Sequence, residues 1–125
     1  MKMISSSEML LMKCIWDSEE ELCIPKLMEI LRDQYGKDYK RTTVVTFLSR
    51  LQEKGYVETC RRGRLAYVHA LCTEEKYRAS IASDCTQTWF HGKPSNYLSA
   101  LIGEDGITKE ESERIRRMLD EMDNT

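Results

Sequence analysis

The clearest periodic pattern of apolar and polar residues lies between residues 41 and 55. Four apolar residues stand at the i, i+3, i+4 and i+7 spacing of one helix face: Val44, Phe47, Leu48 and Leu51. This spacing predicts an amphipathic helix over about residues 41–54, with its apolar stripe facing a core and its end at Lys54-Gly55.

The opposite face of this predicted helix carries short hydroxyl side chains and a basic end. It comprises Thr42, Thr43, Thr46, Ser49 and Arg50. Threonine is a poorer helix former than the Glu, Lys and Gln of ordinary surface helices, so this face indicates selection for contact. Hydroxyls and arginine suit the major groove of DNA, where they meet base edges and phosphates. An ordinary amphipathic surface helix is the alternative for this segment taken alone.

The residues before this helix predict two further helices and a very short strand. Ser5 and Glu8 have the spacing of a capping box, which begins the first helix. Leu22-Cys23 could form the short strand. Pro25 fits the first turn of the second helix, and Gly36 fits the position just after its end.

The residues after the hydroxyl-rich helix predict a β-hairpin with a basic turn. Its strands are Tyr56 to Cys60 and Arg64 to Leu71, joined through Arg62-Gly63. Side chains alternate along a strand, so Arg61, Arg62 and Arg64 cannot all face one partner, and we favour Arg62 and Arg64. Helix, short strand, helix, helix and hairpin form the order of a winged helix-turn-helix over residues 1–72.

From residue 73 the pattern changes to three short helices with narrow apolar stripes. Helices of this kind cannot bury a sizeable core alone, but two copies could cover each other. We therefore predict that residues 73–125 form a helical dimerisation region. The candidate interface residues are Trp89, Tyr97, Leu98, Leu101, Ile115 and Leu119. The alternative is that these helices pack back on the winged helix of the same chain.

Charge is distributed unevenly, although the net charge of −2 would argue against a nucleic-acid partner. Residues 37–64 carry 8 Lys and Arg against 3 Asp and Glu, while residues 1–36 carry 4 against 7 and residues 73–125 carry 7 against 11. Positive charge is therefore concentrated on the predicted helix and hairpin, as phosphate binding requires.

The sequence predicts neither an enzyme nor a metal or cofactor site. The five cysteines are odd in number and have no C-x-x-C spacing, which argues against zinc and against a disulfide framework. Cys14 and Cys85 fall on apolar stripes and are expected in the core. The two histidines, His69 and His91, have no plausible nucleophile or ligand spacing beside them. No apolar run approaches a membrane span and no signal peptide is recognisable, so we expect a reduced, soluble, cytoplasmic protein without membrane insertion.

Three groups of residues resemble the penicillinase-repressor (BlaI/MecI) family over nearly the whole chain. They are Ser7-Glu8 through Met12-Lys13 to Ile15-Trp16, the pattern Thr43-Val44-x-Thr46-x-Leu48-x-Arg50-Leu51-x-x-Lys54-Gly55, and Gly63-Arg64 with Tyr67. The resemblance implies an N-terminal winged helix and a three-helix C-terminal dimerisation region. It also implies a homodimeric repressor of a beta-lactamase or antibiotic-resistance type of operon, which binds a palindromic operator through the recognition helix and the wing.

Two departures from the family pattern bear on induction. The best-known members are cleaved at an Asn-Phe bond after a signal from a membrane receptor, which implies a sensor-protease pathway as a possible partner. The matching pair here is Ala100-Leu101, so the family's bond is absent. Copper-responsive relatives carry a C-x-C cluster near the C-terminus, whereas this chain has no cysteine after Cys85.

The predicted partner is double-stranded operator DNA. The predicted contact residues are Arg41, Thr42, Thr43, Thr46, Arg50, Arg62 and Arg64. Two alternatives remain open: a winged-helix module that contacts protein without specific DNA binding, and a thiol-responsive regulator, since Cys60 and Cys72 flank the hairpin.

Overall fold

A computed structural model describes residues 2–124, which form six helices and a three-stranded antiparallel sheet. The elements are α1 (Ser6–Asp17), β1 (Leu22–Cys23), α2 (Ile24–Tyr35), α3 (Arg41–Glu53), β2 (Val57–Arg62), β3 (Leu65–Ala70), α4 (Glu74–Trp89), α5 (Pro94–Gly103) and α6 (Lys109–Asp123). The predicted fold class, mostly helical with a winged helix-turn-helix and a small hairpin, is confirmed. Across the described residues, no helix has the length and apolar character needed to cross a membrane.

The sheet has the strand order β1-β3-β2, so the hairpin is extended by the short strand that follows α1. Val57 pairs with Ala70 and Arg62 with Leu65, and Leu22 pairs with Val68. Gly63 opens the tight turn at a φ of +63°, a left-handed conformation that glycine adopts without a steric penalty. This hairpin is the wing.

One hydrophobic core joins the first three helices to the inner face of the sheet. Its largest fully buried side chains are Leu11, Met12, Leu27, Leu31, Leu51, Val44, Val57 and Val68. Phe47, predicted in the buried stripe of α3, is half-buried and packs edge-on against Tyr39 with ring centroids 5.4 Å apart. Cys14 is buried in this core, as predicted, whereas Cys85 is only half-buried.

A buried carboxylate links the start of α1 to the end of α3. Ser5 and Glu8 form the predicted capping box, with the Glu8 amide donating to the Ser5 hydroxyl at 3.1 Å. The Glu8 side chain then accepts from the Lys54 ammonium at 3.0 Å and 2.9 Å, one distance to each oxygen. Only 2% of Glu8 is exposed, so this charge depends on its partners.

The first compact unit extends to Ser80, beyond the predicted boundary at residue 72. The reason is Tyr77 in the second turn of α4, which is buried with ring centroids 5.3 Å from Trp16 and 5.8 Å from Tyr56. The Trp16 indole N–H also donates to the carbonyl of Cys72 at 2.9 Å. These contacts fold the start of α4 into the winged-helix unit.

The second compact unit begins at Ile81 and contains the rest of α4 with α5 and α6. No described residue of α5 or α6 is buried. Phe90 and Tyr97 pack together with ring centroids 4.9 Å apart, and Thr108 caps α6 by accepting from the Glu111 amide. The apolar side chains of this unit are therefore incompletely covered within one chain.

We expect Glu8→Gln to lower the free energy of unfolding by about 1–2 kcal/mol near neutral pH, because the Lys54 ammonium loses a charged partner in a poorly solvated position. Glutamine still serves in a capping box, so the change isolates the charge. Burial raises the pKa of Glu8, but the hydrogen bonds from Lys54 and Ser5 outweigh it and lower the pKa below its ordinary value. The stabilisation is therefore complete above the ordinary carboxyl pKa and is lost as pH falls through the lowered one.

Urea unfolding of both proteins across the acid range measures this difference, which should narrow as the pH falls. Glu19→Gln is the control, because Glu19 is exposed and forms no ion pair among residues 2–124. Equal stabilities of wild type and Glu8→Gln at neutral pH would contradict a stabilising role for this pair.

Candidate nucleic-acid interface

The polar face of α3 is presented to solvent because the apolar face is locked in the core. Val44 and Leu51 are fully buried, which fixes the rotation of the helix about its axis. Four of the five predicted contact residues of this helix are exposed and Thr43 is half-buried. The exposed ones are Arg41, Thr42, Thr46 and Arg50.

Thr46 has its hydroxyl proton committed to the helix itself. Its Oγ1 donates to the carbonyl of Thr42 at 2.9 Å, a common bond for threonine within a helix. The side chain therefore offers acceptor lone pairs and a methyl group outward. In a major groove these groups match the amino groups of adenine and cytosine and the thymine methyl.

The amino-terminal end of α3 is positively charged and has no side-chain cap. Lys40 occupies the N-cap position without capping the helix, and Arg41 follows it. The first amide groups of a helix lack intrahelical partners, and the helix dipole places partial positive charge there. This end of α3 is therefore suited to an anionic group such as a DNA phosphate.

The two faces of the wing separate its arginines. Thr59 lies on the inner face and its hydroxyl donates to Gln52 of α3 at 3.2 Å. Arg61 is two residues further along the same strand, so it shares the face that adjoins α3. Arg64 is exposed in the turn. Arg61, which the sequence interpretation ranked below Arg62, thus lies on the side of the recognition helix.

Arg62 lies on the outer face of the wing and is already engaged. Its guanidinium forms an ion pair with Glu21, and its ζ-carbon lies 4.0 Å from the centre of the Tyr67 ring. The same Glu21 oxygen lies 2.9 Å from Nε2 of His69. The structure therefore does not group Arg62 with the other predicted contact residues.

The remaining arginines of α3 and the wing are exposed and have no internal counter-charge in the described chain. We refer to these four residues, Arg41, Arg50, Arg61 and Arg64, as the basic face. None of these four arginines forms an ion pair within residues 2–124, whereas five other basic residues do, namely Lys13, Lys26, Arg32, Lys54 and Arg78. An uncompensated basic surface beside a groove-sized helix favours a polyanion as the partner.

Other reactive side chains form no comparable arrangement. Residues 2–124 contain no cluster of three His, Cys, Asp or Glu that could hold a metal ion. Burial and the Asp17 carboxylate raise the pKa of the Cys14 thiol to about 11, and burial also raises the pKa of Cys72. A higher pKa lowers the fraction of reactive thiolate, so Cys14 and Cys72 are less reactive thiols. Cys60 is the cysteine whose residue is exposed within residues 2–124.

The second unit exposes several of the predicted interface residues. Trp89 is 74% exposed and Leu119 is 51% exposed, while Leu101 is at the border of exposure. Tyr97, Leu98 and Ile115 are half-buried. Four further exposed apolar residues of this unit were not among the predicted interface residues, although they continue the stripe spacing of their helices: Ile81, Ile102, Met118 and Met122.

The pair Ala100-Leu101, which the sequence interpretation aligned with the family's cleaved bond, lies within α5. Its peptide bond is part of a regular helix, and the Leu101 carbonyl accepts from the Gly106 amide at 2.7 Å. A protease needs an extended segment, so this helix must open locally before the bond can be cut.

Comparison with known proteins connects these features to a family. The family model described as penicillinase repressor matches residues 4–121. The methicillin resistance regulatory proteins MecI of Staphylococcus aureus and Staphylococcus epidermidis are 22% identical over 116 residues, covering 93% of this chain and 92% of theirs. The match spans the winged helix, its basic face and the C-terminal helices, and the chain belongs to the penicillinase repressor family of DNA-binding transcriptional repressors.

Proposed function

We propose that this repressor acts as a homodimer that occupies a palindromic operator and blocks transcription of a beta-lactamase or antibiotic-resistance type of operon. Helix α3 enters the major groove, where Thr42, Thr43 and Thr46 meet base edges or adjacent phosphates. Arg41 and Arg50 neutralise phosphates at the edges of the groove. Because its partner is operator DNA, the protein works in the cytoplasm.

The observation that carries this proposal is the basic face. Its four arginines keep their charge uncompensated although the whole chain has a net charge of −2. A partner that supplies negative charge at regular spacing, as duplex DNA does, accounts for that arrangement.

The C-terminal unit supports the homodimer. Helices α5 and α6 bury no described residue within one chain, and exposed apolar patches of this kind mark association surfaces. A two-fold dimer also places two recognition helices on two half-sites, and the linked contacts bind far more tightly than one alone. The proposal that the operon concerns resistance rests on the family and on the similarity to the MecI methicillin resistance regulators.

Release from DNA would follow from any event that separates the two winged-helix units of the dimer. We propose that, if a sensor-protease pathway induces this protein, the cut falls within residues 99–107. Gly103 to Gly106 includes an exposed acidic loop between α5 and α6, which is a better substrate than the helical Ala100-Leu101 bond.

We expect Thr46→Ala to weaken specific binding by about 1–3 kcal/mol, because the side chain loses its base-edge contact. Binding to the DNA upstream of the gene and to random DNA is measured by fluorescence anisotropy. Thr86→Ala is a matched control, since Thr86 in α4 makes the same backbone hydrogen bond, to Ala82, outside the proposed interface.

Arg50→Ala, measured in parallel, should weaken binding to all DNA alike. It should also flatten the dependence of log K on log salt concentration by about one unit, as loss of one phosphate contact predicts. Unchanged discrimination between specific and random DNA in Thr46→Ala would remove Thr46 from the base-reading set.

We expect Leu119→Asp to convert the dimer to a monomer at micromolar concentration, because a buried carboxylate without a partner is costly at an apolar interface. Sedimentation equilibrium measures the mass. Met3→Asp adds the same charge at an exposed apolar residue of the N-terminal unit and should leave the dimer intact. A monomeric wild type, or a dimeric Leu119→Asp with unchanged affinity, would refute this interface.

For induction, we expect intact-mass spectrometry of the protein from cells treated with a cell-wall antibiotic to detect fragments ending within residues 99–107. The changes Glu104→Gln and Asp105→Asn remove the negative charges of the loop. These variants test whether the protease recognises those charges. A full-length chain in derepressed cells would exclude cleavage and direct attention to thiol oxidation.

A further inference from the structure

The Arg62 side chain is folded back from the tip of the wing toward its base. Arg62 pairs with Leu65, the last pair before the turn, whereas Glu21 directly precedes β1, which pairs with Tyr67 and Val68 nearer the base. To reach Glu21, the guanidinium passes over the Tyr67 ring at 4.0 Å from its centre. The charge of Arg62 is thereby withdrawn from the turn of the wing.

Glu21 is held in place on the wing by a second partner. Nε2 of His69 lies 2.9 Å from the same carboxylate oxygen that binds Arg62. The Glu21 side chain is 28% exposed, and that of Arg62 is 55% exposed. The Glu21 carboxylate thus lies beside both His69 and Arg62, and the arginine remains accessible enough to exchange one anionic partner for another.

A guanidinium recognises carboxylate and phosphate through the same planar set of N–H donors. When these donors serve Glu21, they are not available to a DNA phosphate. We infer that Glu21 is an intramolecular competitor of DNA phosphate for Arg62, and that it lowers the affinity of the wing for DNA. This inference rests on the proposed DNA-binding function.

The consequence concerns affinity more than sequence preference. A complex in which Arg62 contacts phosphate must first break the contact with Glu21, and phosphate carries no sequence information. Glu21 therefore restrains binding to operator and random DNA by the same factor. It also removes one phosphate contact from the salt dependence of binding.

The test compares Glu21→Gln with Glu20→Gln in the full-length chain. Glu20 is the exposed neighbour whose carboxylate forms no ion pair within residues 2–124, so both variants change the net charge equally. At about 50 mM salt, Glu21→Gln should bind operator and random DNA about three- to ten-fold more tightly than Glu20→Gln. Its salt slope should be steeper by about one unit, as expected for one added phosphate contact.

Arg62→Gln shows whether the gain acts through Arg62. In the wild-type background this change should have little effect, and in the Glu21→Gln background it should abolish the gain. Glu21→Ala, which cannot hydrogen-bond to the guanidinium, should reproduce the gain of Glu21→Gln. Thermal melts of each variant establish that the wing is folded.

Three outcomes would overturn the inference: equal binding of the Glu21 and Glu20 variants, a gain that persists in Glu21→Gln with Arg62→Gln, or an Arg62→Gln change that costs as much affinity in the wild-type background as in the Glu21→Gln background. Each of these outcomes overturns the inference only when the wild-type protein binds DNA in a salt-dependent way. Absence of such binding by the wild type would instead refute the proposed function.

Discussion

The rotational setting of helix α3 is the constraint on which the rest of the N-terminal unit depends. Burying Val44 and Leu51 determines which side chains of this helix point outward, because successive residues turn by about 100°. The end of the helix is held by the Lys54 contact with Glu8. Tyr56, also buried, then starts the path of the chain into the wing. Packing in the core, the base-reading face and the position of the wing are therefore parts of one arrangement.

The charged side chains of the described residues divide into those that form ion pairs and those that do not. The acidic residues that form ion pairs do so mostly with the basic residues of α1, α2 and α4, where pairing is local and exposed. Such surface pairs contribute little to stability. The basic face lacks such partners within residues 2–124, although the protein as a whole is weakly acidic. Arg62 is the exception on the wing, where its guanidinium pairs with the Glu21 carboxylate.

Most of the fold could be predicted because its signals are local. The periodicity of α3 predicted a helix over 41–54 that is observed over Arg41–Glu53, and Gly36 and Gly63 mark the ends and turns as expected. The contacts between elements could not be predicted in this way. Because side chains alternate along a strand, the sequence assigned the wing arginines to two faces. It did not identify the face that adjoins α3, since that depends on how the sheet packs. The engagement of Arg62 depends on the register of β1 against β3, and the extension of the first unit to Ser80 depends on the packing of Tyr77.

The dimer interface remains a prediction for a related physical reason. The narrow stripes of the last two helices indicated that they need a partner, and their exposure in a single chain agrees with that need. A stripe identifies the residues that must be covered but not the surface that covers them. For Val44 and Leu51 the covering surface is known, because the residues that pack against them belong to the same chain.

The positions of the two tryptophans give the molecule a pair of separate optical reporters. Trp16 is half-buried in the N-terminal unit, where its indole N–H is bound to a carbonyl and its ring lies beside Tyr77. Trp89 belongs to the other unit and has 74% of its surface in contact with solvent. Indole emission shifts to shorter wavelength when water is removed from the ring. Emission from Trp16 therefore reports on the packing of the N-terminal unit, while emission from Trp89 reports on whether anything covers its ring in the other unit. Replacing either ring with phenylalanine separates the two signals in the intact protein.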